Sequence, residues 1–440
     1  MKRITFIGTG YVGLVSGAGI SDFGHRVICT DIDKPKIEAL QKGRLPIYEP
    51  GLDALVARNI KAGRLSFSAD VEASVRRAEV VFIAVGTPQG NDGAADISAV
   101  KAVAKTIGEN LNGYKVICTK STVPIGTGQL VCDIIEQYKP EGMDFDYVSN
   151  PEFLREGAAV LDFTRPDRIV IGAASDRAFE VMRDVYRPLY INETPMLHTD
   201  IPTAEMIKYA SNAFLALKIS YINEIANLCE SVGADVHVVA KAMGIDGRIS
   251  PKFLHPGPGF GGSCFPKDTQ ALVKMGDREG IPIRTVKAAI ETNNAQKQRM
   301  VLKLKTLVDG ELKGKQITIL GLSFKPFTDD VRESPANEMI TALLQEGACI
   351  RAYDPAANAT MAEIFPQVTY YDNWEEAASG ADAAVIMTEW NEFRSMDLQT
   401  LRERMRTPVI LDTRNVLSMD ELREAGFRFD NVGRKKGTYN

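Results

Sequence analysis

The chain has 440 residues, of which 45% are apolar and 25% are charged, and its formal net charge is -5. This length allows two or three domains with their own hydrophobic cores, and the composition is ordinary for a soluble globular protein. The slight acidity gives no electrostatic reason to bind nucleic acid or an anionic membrane surface, and no run of about 18 apolar residues could span a bilayer.

The cysteines and histidines predict a cytoplasmic protein without a metal site. The 6 cysteines lie far apart, without a CxxC pair or a compact framework, as expected of free thiols in a reducing compartment. The 4 histidines show no metal-ligand spacing, so we expect no zinc.

The first predicted elements form a dinucleotide-binding unit. Residues 4–7 are a short apolar run typical of a buried parallel strand, and residues 8–13 form a glycine-rich turn. A small-residue helix and a second strand at residues 27–30 lead to Asp31, 18 residues after the last glycine of the turn. This order is the dinucleotide fingerprint, in which the pyrophosphate lies on the helix N-terminus. Because Asp31 would bind ribose hydroxyls and repel a 2′-phosphate, we expect NAD and not NADP.

Hydroxyl side chains follow the next two predicted strands. The apolar runs at residues 78–85 and 116–119 are followed by Thr87 and by Ser121 and Thr122. Ligands bind at the carboxyl ends of strands in an open parallel sheet, so these hydroxyls are candidate contacts to cofactor or substrate. The alternative is that they are ordinary turn residues.

A pair of acids, Glu152 and Glu156, follows a further strand that ends at Ser149. On a helix the two carboxylates would share one face. Such a pair is either a solvated face or part of a site, and these residues alone leave both interpretations open.

Residues 203–232 have the longest uninterrupted helical pattern, with apolar residues on several faces. This breadth predicts a central helix between two lobes that also packs against a second subunit. Lys208 and Asn212 are four residues apart on it, and a buried lysine needs a reason. The alternative is a lysine that extends to solvent, beside a solvated asparagine.

A glycine-rich segment at residues 257–262 leads into Cys264. Pro266 is acceptable in a first helical turn, so the pattern predicts that Cys264 lies at a helix N-terminus, where the macrodipole favours a thiolate. Lys267 adds positive charge and Asp268 could hold a proton or a water. We interpret Cys264 as a covalent nucleophile, although an isolated cysteine is otherwise a small core residue.

The last third of the chain repeats the architecture of the first. Four apolar strand patterns between residues 317 and 413 echo those of the dinucleotide-binding unit, but Gly321–Ser323 lacks the full glycine fingerprint. We therefore expect a second doubly wound domain that binds a different phosphate-bearing ligand, with Lys325, Arg332 and Arg414 as cations.

Together these elements predict an α/β protein with two doubly wound, Rossmann-like domains joined by a long central helix and a helical middle region. The predicted boundaries are residues 1–200 for the NAD-binding domain, 201–300 for the central helical and dimerisation domain with the cysteine loop, and 301–440 for the second Rossmann-like domain.

These parts suit an oxidation that continues beyond the aldehyde. A first hydride transfer converts a primary alcohol to an aldehyde, and the thiolate of Cys264 then adds to it. A second hydride transfer leaves a thioester, which water cleaves. Lys208 and Asn212 could stabilise the oxyanions, while Glu152 and Asp268 could handle protons and water. An ordinary alcohol dehydrogenase needs no cysteine nucleophile, and this difference favours a four-electron oxidation.

At these residues the chain closely resembles the nucleotide-sugar 6-dehydrogenase family, and the resemblance covers nearly its whole length. Its most specific motifs are residues 8–13, 150–157, 208–218, 257–268 and 324–335. The resemblance implies conversion of UDP-glucose, two NAD and water to UDP-glucuronate, by a homodimer or higher homo-oligomer whose last domain binds the UDP-sugar.

The resemblance also implies residue roles. The catalytic residues would be Cys264 as the nucleophile, Lys208 and Asn212 at the oxyanions, Asp268 and Thr122 at the catalytic water, and Glu152 in hydrolysis. The NAD contacts would be Gly8, Gly10, Tyr11, Val12, Gly13, Asp31, Lys36, Thr87, Thr122, Glu156, Lys267 and Arg332. The substrate contacts would be Glu152, Phe153, Leu154, Arg155, Glu156, Lys208, Asn212, Phe253, Leu254, His255, Pro256, Gly257, Gly261, Lys325 and Arg414, with Arg248 reaching a neighbouring subunit's site.

Three alternatives stay open. A sister enzyme acting on GDP-mannose or a UDP-N-acetylhexosamine would share the cysteine loop, although residues 211–215 look more like the UDP-glucose branch. A two-electron hydroxyacid dehydrogenase would leave Cys264 without a role. A nucleotide-binding scaffold without catalysis would not need Cys264, Lys208 and Asp268 together.

Overall fold

The computed structural model describes residues 1–90 and 93–434, which form two compact units divided between Ser211 and Asn212. Each unit contains one sheet covered by helices. The division into three domains, 1–200, 201–300 and 301–440, stays a prediction, and the described part of the last one ends at residue 434.

The first unit contains an 8-stranded sheet. Its strands are β1 (Arg3–Ile7), β2 (Arg26–Thr30), β3 (Leu65–Ser68), β4 (Val80–Ile83), β5 (Lys115–Thr119), β6 (Phe145–Ser149), β7 (Ile169–Ala173) and β8 (Met196–Thr199). They are arranged in the order β3-β2-β1-β4-β5-β6-β7-β8, and all neighbours are parallel except β6 and β7. The first six strands have the doubly wound order typical of dinucleotide-binding folds.

Helices cover both faces of this sheet. They are α1 (Tyr11–Asp22), α2 (Lys34–Gln41), α3 (Leu52–Lys61), α4 (Val71–Arg77), α5 (Ser98–Glu109), α6 (Thr127–Tyr138), α7 (Ala159–Thr164), α8 (Asp176–Val185) and α9 (Arg187–Ile191). Two apolar clusters result, one on each face, because β4 is apolar at every position and β1 and β5 also carry apolar side chains toward both faces. On one face Phe6 stacks on Phe82 with ring centroids 4.4 Å apart.

The second unit contains a 6-stranded parallel sheet. Its strands are β9 (Gln316–Leu320), β10 (Cys349–Tyr353), β11 (Thr369–Tyr370), β12 (Ala383–Ile386), β13 (Val409–Asp412) and β14 (Arg428–Asn431). Their order, β11-β10-β9-β12-β13-β14, repeats that of β3-β2-β1-β4-β5-β6. The predicted repetition of the doubly wound architecture is therefore confirmed.

One long helix, α10 (Ile201–Val232), begins in the first unit and continues into the second. It confirms the helix predicted over residues 203–232. The remaining helices are α11 (Val236–Ile245), α12 (Phe265–Arg278), α13 (Arg284–Leu307), α14 (Pro335–Gln345), α15 (Asn358–Ile364), α16 (Trp374–Ala378), α17 (Asn391–Arg394), α18 (Leu398–Arg404) and α19 (Met419–Glu424). None of the helices in the described residues is long and apolar enough to cross a membrane.

Candidate active site

The glycine turn between β1 and α1 has the geometry of an anion site. Gly8 has φ +104°, and a Cβ there would meet the carbonyl oxygen of Ala84 at 2.5 Å, while a Cβ at Gly13 would meet the carbonyl oxygen of Gly8 at 2.0 Å. A Cβ at Gly10 would meet nothing within 4 Å. Gly8 and Gly13 are thus required by the protein's own packing, whereas Gly10 borders open space. No side chain caps α1 and its first turn contains no acid, so its N–H groups can receive a pyrophosphate.

Asp31 lies at the end of β2, beside this turn. Its Oδ2 accepts hydrogen bonds from the amide and hydroxyl of Thr9, at 2.8 and 2.7 Å, and from Lys36 Nζ at 3.0 Å. Burial alone would raise the pKa of Asp31, but the hydrogen bonds from Thr9 and Lys36 outweigh it and lower the pKa. Asp31 is therefore a carboxylate at neutral pH, as binding of ribose hydroxyls requires.

A buried glutamate that the sequence did not reveal connects the glycine turn to the segment after β6. Glu49 accepts hydrogen bonds from the backbone N–H groups of Gly157 and Ala159, at 2.6 and 2.7 Å, and from the hydroxyl of Tyr11. Burial and the neighbouring Glu49 carboxylate raise the pKa of Tyr11 well above its usual value. Tyr11 thus stays a neutral donor.

The loops after β4 and β5 are joined by their hydroxyl groups. Thr87 donates from Oγ1 to the carbonyl of Thr122 at 2.8 Å, and Ser121 donates from Oγ to the carbonyl of Val85 at 2.7 Å. The carboxyl edge of the sheet therefore brings Thr87, Ser121 and Thr122 together. Their contacts to cofactor and water stay predictions.

The acidic segment after β6 is a loop and not a helix, so Glu152 and Glu156 do not share a helix face. The reason is local, because the Glu152 carboxylate accepts the backbone N–H of Leu154 at 2.5 Å and closes a tight turn. Glu156 lies in the turn that precedes α7. Arg155 forms two hydrogen bonds to Asp162, at 2.9 and 2.6 Å.

Lys208 on α10 forms a buried ion pair with Glu152. Its Nζ donates to Oε1 of Glu152 at 2.9 Å and to the carbonyl oxygen of the same residue at 2.8 Å, and the two side chains are 5% and 6% exposed. The ring of Phe153 lies 5.4 Å from Nζ, with the guanidinium of Arg168 stacked on the ring at 3.6 Å. The alternative of a lysine that extends to solvent is thus wrong.

A second buried lysine lies at the end of β5, and sequence analysis assigned it no role. Nζ of Lys120 lies 3.2 Å from Oδ1 of Asn150 and 3.3 Å from the hydroxyl of Tyr186, and burial lowers the pKa of Lys120 to about 8. The Tyr186 hydroxyl also donates to Oδ1 of Asn150 at 2.7 Å. This network holds Asn150, two residues before Glu152. The signal in the sequence that could have identified Lys120 is its position directly after a buried strand.

In the second unit, Cys264 occupies the position predicted for it. It is the N-cap residue of α12, with Pro266 in the first turn, and it is partly exposed. Sγ lies 3.7 Å from the hydroxyl oxygen of Ser263. The thiol is therefore accessible at a helix N-terminus, where the macrodipole favours its ionised form.

One turn into the same helix, Asp268 is 1% exposed and fully engaged. Oδ1 accepts from Nζ of Lys267 at 2.7 Å, and Oδ2 accepts from Nδ2 of Asn212 at 2.6 Å. Asn212 lies one turn beyond Lys208 on α10. Each of the two binds a buried carboxylate, Asn212 that of Asp268 and Lys208 that of Glu152. Both residues lie on the long helix, as predicted, while their contact to an oxyanion stays a prediction.

The loop before Cys264 is fixed by buried amide side chains and by a neighbouring loop. Asn293 on α13 receives the N–H of Phe260 and donates to its carbonyl, and the N–H of Gly262 donates to the carbonyl of Arg332 at 2.8 Å. A Cβ at Gly261 would meet the carbonyl oxygen of Glu333 at 2.2 Å. Gly261 therefore admits this close backbone approach and needs no other role.

The remaining predicted substrate contacts lie at two places in the second unit. Phe253, with φ +66°, begins a segment in which Leu254 is buried and His255 is exposed, and the segment continues through Pro256 to Gly257. Arg248 is exposed and pairs with Asp246 at 2.6 Å. These residues precede the glycine loop directly in the chain.

Cationic side chains lie beyond the carboxyl ends of the second sheet. Arg414 donates to the carbonyl oxygens of Met387 and Phe324, at 2.8 and 3.0 Å. Lys325 Nζ lies 5.1 Å from the Phe324 ring, and Arg332 pairs with Asp330 at 2.7 Å. The cations predicted for a phosphate-bearing ligand are therefore present at this edge.

The second sheet has lost the features that admit NAD in the first. Asp354, the counterpart of Asp31, accepts hydrogen bonds at Oδ2 from Leu322, Ser323 and Trp390. Asp354 is also almost fully buried, whereas Asp31 is only partly buried, and a serine takes the place of the open glycine, so the second unit suits a different ligand. No group of three or more metal-binding side chains occurs in the part of the chain that the structure describes.

Comparisons with known proteins agree with this arrangement. Three domain models of the UDP-glucose/GDP-mannose dehydrogenase family match: the NAD binding domain at residues 2–190, the central domain at 202–295 and the UDP binding domain at 318–419. The three models cover the glycine turn, the cysteine loop and most of the second sheet, respectively.

Individual relatives match over nearly their whole length. The chain is 52% identical to the UDP-glucose 6-dehydrogenase of Rhizobium meliloti, over 98% of this chain and 99% of the relative. It is 49% identical to UDP-glucose 6-dehydrogenase TuaD of Bacillus subtilis, over 99% of this chain and 94% of the relative. Its fold is similar to the structure of a UDP-glucose dehydrogenase from the archaeon Pyrobaculum islandicum, with a TM-score of 0.92 and 38% identity. The match covers 99% of this chain and 98% of that one.

Proposed function

Because this chain belongs to the UDP-glucose/GDP-mannose dehydrogenase family, we propose that it oxidises UDP-glucose to UDP-glucuronate by a four-electron reaction at Cys264. The balanced reaction consumes two NAD and one water for each sugar. The names and high identity of the relatives support UDP-glucose as the substrate.

The observation that carries the proposal is the placement of Cys264. A partly exposed thiol forms the N-cap of α12, one turn before a buried carboxylate, Asp268, that Lys267 and Asn212 hold in place. A two-electron dehydrogenase would need no such thiol. A nucleotide-binding scaffold would gain nothing from the cost of two buried carboxylates, at Asp268 and Glu152, with their partners.

NAD is held by the first unit and supplies the hydride acceptor for both oxidations. The open space at Gly10 and the unfilled N-terminus of α1 suit its pyrophosphate, while Asp31 with Lys36 suits the adenosine ribose. Resemblance to the family supports further NAD contacts from Thr87, Thr122 and Glu156, and from Lys267 and Arg332 of the second unit.

The chain's own groups perform the remaining steps. After the first oxidation, the Cys264 thiolate adds to C6 of the aldehyde to give a thiohemiacetal, and oxidation of that adduct leaves a thioester on the sulfur. Lys208 and Asn212 stabilise the oxygen at C6 while it carries negative charge. Glu152 accepts a proton from the water that cleaves the thioester, and Asp268, with Thr122, positions a water that relays the first proton.

We also propose that the protein is a homo-oligomer. Apolar side chains are exposed along α10 and α11, at Phe214, Tyr221, Leu228 and Val232 and at Val238 and Ile245. On α10 they recur every seven or four residues, so they form one continuous stripe. A second copy of the chain would cover this stripe, which explains why so many positions of the helix are apolar.

A cytoplasmic location is the last part of the proposal. All six cysteines are free thiols, as a reducing compartment would keep them. The three-domain division follows the three matched family domains and is proposed on that ground.

The proposed substrate is tested by supplying UDP-glucose, UDP-N-acetylmannosamine and GDP-mannose in parallel with NAD and following the absorbance of NADH. We expect kcat/KM for UDP-glucose to exceed that for each of the others by at least about 100-fold, since polar groups of a site that bind one sugar are left unpaired by another. A higher kcat/KM for either alternative sugar would replace UDP-glucose as the substrate. No reduction of NAD with any of them would favour the scaffold.

A further inference from the structure

We propose that Asn293 and Gln296 are positioning residues with separate tasks in this reaction. Asn293 fixes the part of the loop that carries Cys264, and Gln296 fixes the segment that binds the nucleotide sugar. The proposal rests on the function proposed above and assigns roles to two side chains of α13 that touch neither reacting group.

Asn293 holds the loop at Phe260 through both of its amide atoms. Oδ1 accepts the backbone N–H of Phe260 at 2.7 Å, and Nδ2 donates to the backbone carbonyl of the same residue at 3.1 Å. Asn293 is only 3% exposed, so water does not replace these bonds. The Phe260 ring packs edge-on against Phe265, the first residue of α12, with centroids 6.0 Å apart. Asn293 thus acts on the turn of chain that ends at Cys264.

Gln296 holds the loop three residues earlier. Its Nε2 donates to the carbonyl of Gly257 at 2.8 Å, while the N–H of Gly257 donates to Oδ1 of Asn223 on α10 at 2.8 Å. The amide of Gln296 is itself oriented by Asn227, whose Nδ2 donates to its Oε1 at 2.9 Å. Gly257 is therefore held from both sides, at the end of the segment that begins at Phe253.

The two amides are three residues apart on one face of α13, and each is nearly fully buried. The loop that they contact, residues 257–262, is rich in glycine, so few side chains are present to fix its conformation. Without an amide, the backbone groups of Phe260 or Gly257 would lose their buried partners and move to find others. A shift of about 1 Å at a reacting group costs on the order of 100-fold in rate.

Steady-state kinetics distinguishes the task of Asn293, which should affect kcat, from that of Gln296, which should affect KM. We expect Asn293→Ala to lower kcat at least about 10-fold while KM for UDP-glucose stays within about 3-fold of the original value. The same variant should change the rate at which iodoacetamide alkylates Cys264, measured by mass spectrometry of the peptide that contains it. Gln296→Met keeps the side-chain volume and removes the donor. We expect it to raise KM for UDP-glucose about 10-fold, with kcat and alkylation within about 3-fold.

The matched control is Ser220→Ala. Ser220 on α10 donates to the carbonyl of Ala289 on α13 at 2.7 Å, so its loss breaks a buried bond between the same two helices without touching the loop. We expect kcat, KM and the alkylation rate of this variant to match the unsubstituted enzyme. Asn293→Asp, which keeps Oδ1 as an acceptor, is the second variant in case the alanine protein does not fold, and the same kcat loss is expected of it.

Two results would overturn the proposal. One is that both loop variants change kcat and KM by the same factors, which is the behaviour of general loosening. The other is that the control changes them equally. If the unsubstituted enzyme does not oxidise UDP-glucose, the proposed function fails, but the alkylation rates still decide whether Asn293 positions Cys264.

Discussion

At the scale of single residues, the environment of Cys264 separates it from the other cysteines. Cys29 and Cys118 are buried in the first sheet, where burial raises the pKa of the Cys29 thiol to about 12. Such thiols are inert at neutral pH. Cys264 is partly exposed at a helix N-terminus, and Cys349 is exposed at the start of β10.

We therefore predict that Cys264→Ser lowers kcat at least about 1,000-fold while the dissociation constant for NAD changes by less than about 2-fold, because the serine hydroxyl is a far weaker nucleophile. NADH absorbance measures the first quantity and calorimetric titration with NAD the second. Cys349→Ser is the control and should keep the original rate. A Cys264→Ser protein with unchanged turnover would remove the covalent step.

The Lys208–Glu152 pair allows catalysis to be separated from stability. Removing one partner of a buried ion pair leaves an uncompensated charge, so Lys208→Met should lower the free energy of unfolding by about 3 kcal/mol. Adding Glu152→Gln removes that charge and should restore most of the stability in urea denaturation. Turnover should stay at least about 100-fold low in both variants, because the oxyanion donor is absent. Recovery of turnover together with stability would mean that the pair is only structural.

At the scale of elements, a carboxylate on α10 caps the N-terminus of α6. Glu205 accepts the backbone N–H groups of Gly126 and Gly128 at 2.7 and 2.8 Å, and burial raises the pKa of Glu205 to about 7 despite these bonds. The contact joins α10, three residues before Lys208, to the loop that follows Thr122. The ionised form is thus disfavoured in the folded protein.

This pKa predicts a pH dependence of stability. In the unfolded chain Glu205 ionises near its ordinary pKa of about 4.5, so its contribution is complete below that pH and is lost as pH rises to about 7. Between pH 5 and 8, the free energy of unfolding should fall about 2 kcal/mol further in the unsubstituted protein than in Glu205→Gln. Urea denaturation across this range measures it, with Glu136→Gln on α6 as an exposed control. Parallel pH curves for the unsubstituted and Glu205→Gln proteins would contradict the raised pKa.

Elements with a strong local pattern were predictable, whereas contacts between distant segments were not. The apolar runs of β1, β4, β5 and β9 and the long helix α10 follow from periodicity alone. The short strand β3 alternates apolar and polar residues over only four positions, and β8 shows no alternation at all, so their partner strands define both.

The same limit applies to the candidate site. Cys264, Asp31 and the glycine turn stand in contiguous motifs and could be recognised from the sequence. Glu49 and Asn293 bind backbone groups 108 and 33 residues away in the chain, and such partners leave no local pattern. Glu152 was identified, but its loop conformation depends on its own side chain bonding to Leu154.

At the scale of the whole molecule, the exposed stripe on α10 predicts the assembly. Phe214 is 61% exposed and Leu228 is 58% exposed, which costs free energy unless a second copy covers them. The double variant Phe214→Glu/Leu228→Glu should be a monomer in analytical ultracentrifugation, while the unsubstituted protein is a dimer or larger. Leu302→Glu on α13, at a residue 63% exposed, is the control and should leave the assembly intact. A monomeric unsubstituted protein would contradict the proposed oligomer.

The whole chain also combines a sheet in a matched NAD binding domain with a second sheet of the same strand order, most of which lies in a matched UDP binding domain. In the proposed chemistry the Cys264 thiolate binds the aldehyde that the first oxidation forms and holds it until the acid is released. The first oxidation precedes addition of the thiolate and the second takes place on the sulfur adduct, so the mechanism fixes the ratio of cofactor reduced to sugar consumed.

That ratio is the most direct measurement of the central claim. A limiting, weighed amount of UDP-glucose is consumed to completion with excess NAD, and NADH is measured by absorbance while the sugar products are separated by chromatography. The four-electron reaction at Cys264 predicts two NADH for each UDP-glucose, with UDP-glucuronate as the product. One NADH for each sugar, with an aldehyde as the product, would contradict it.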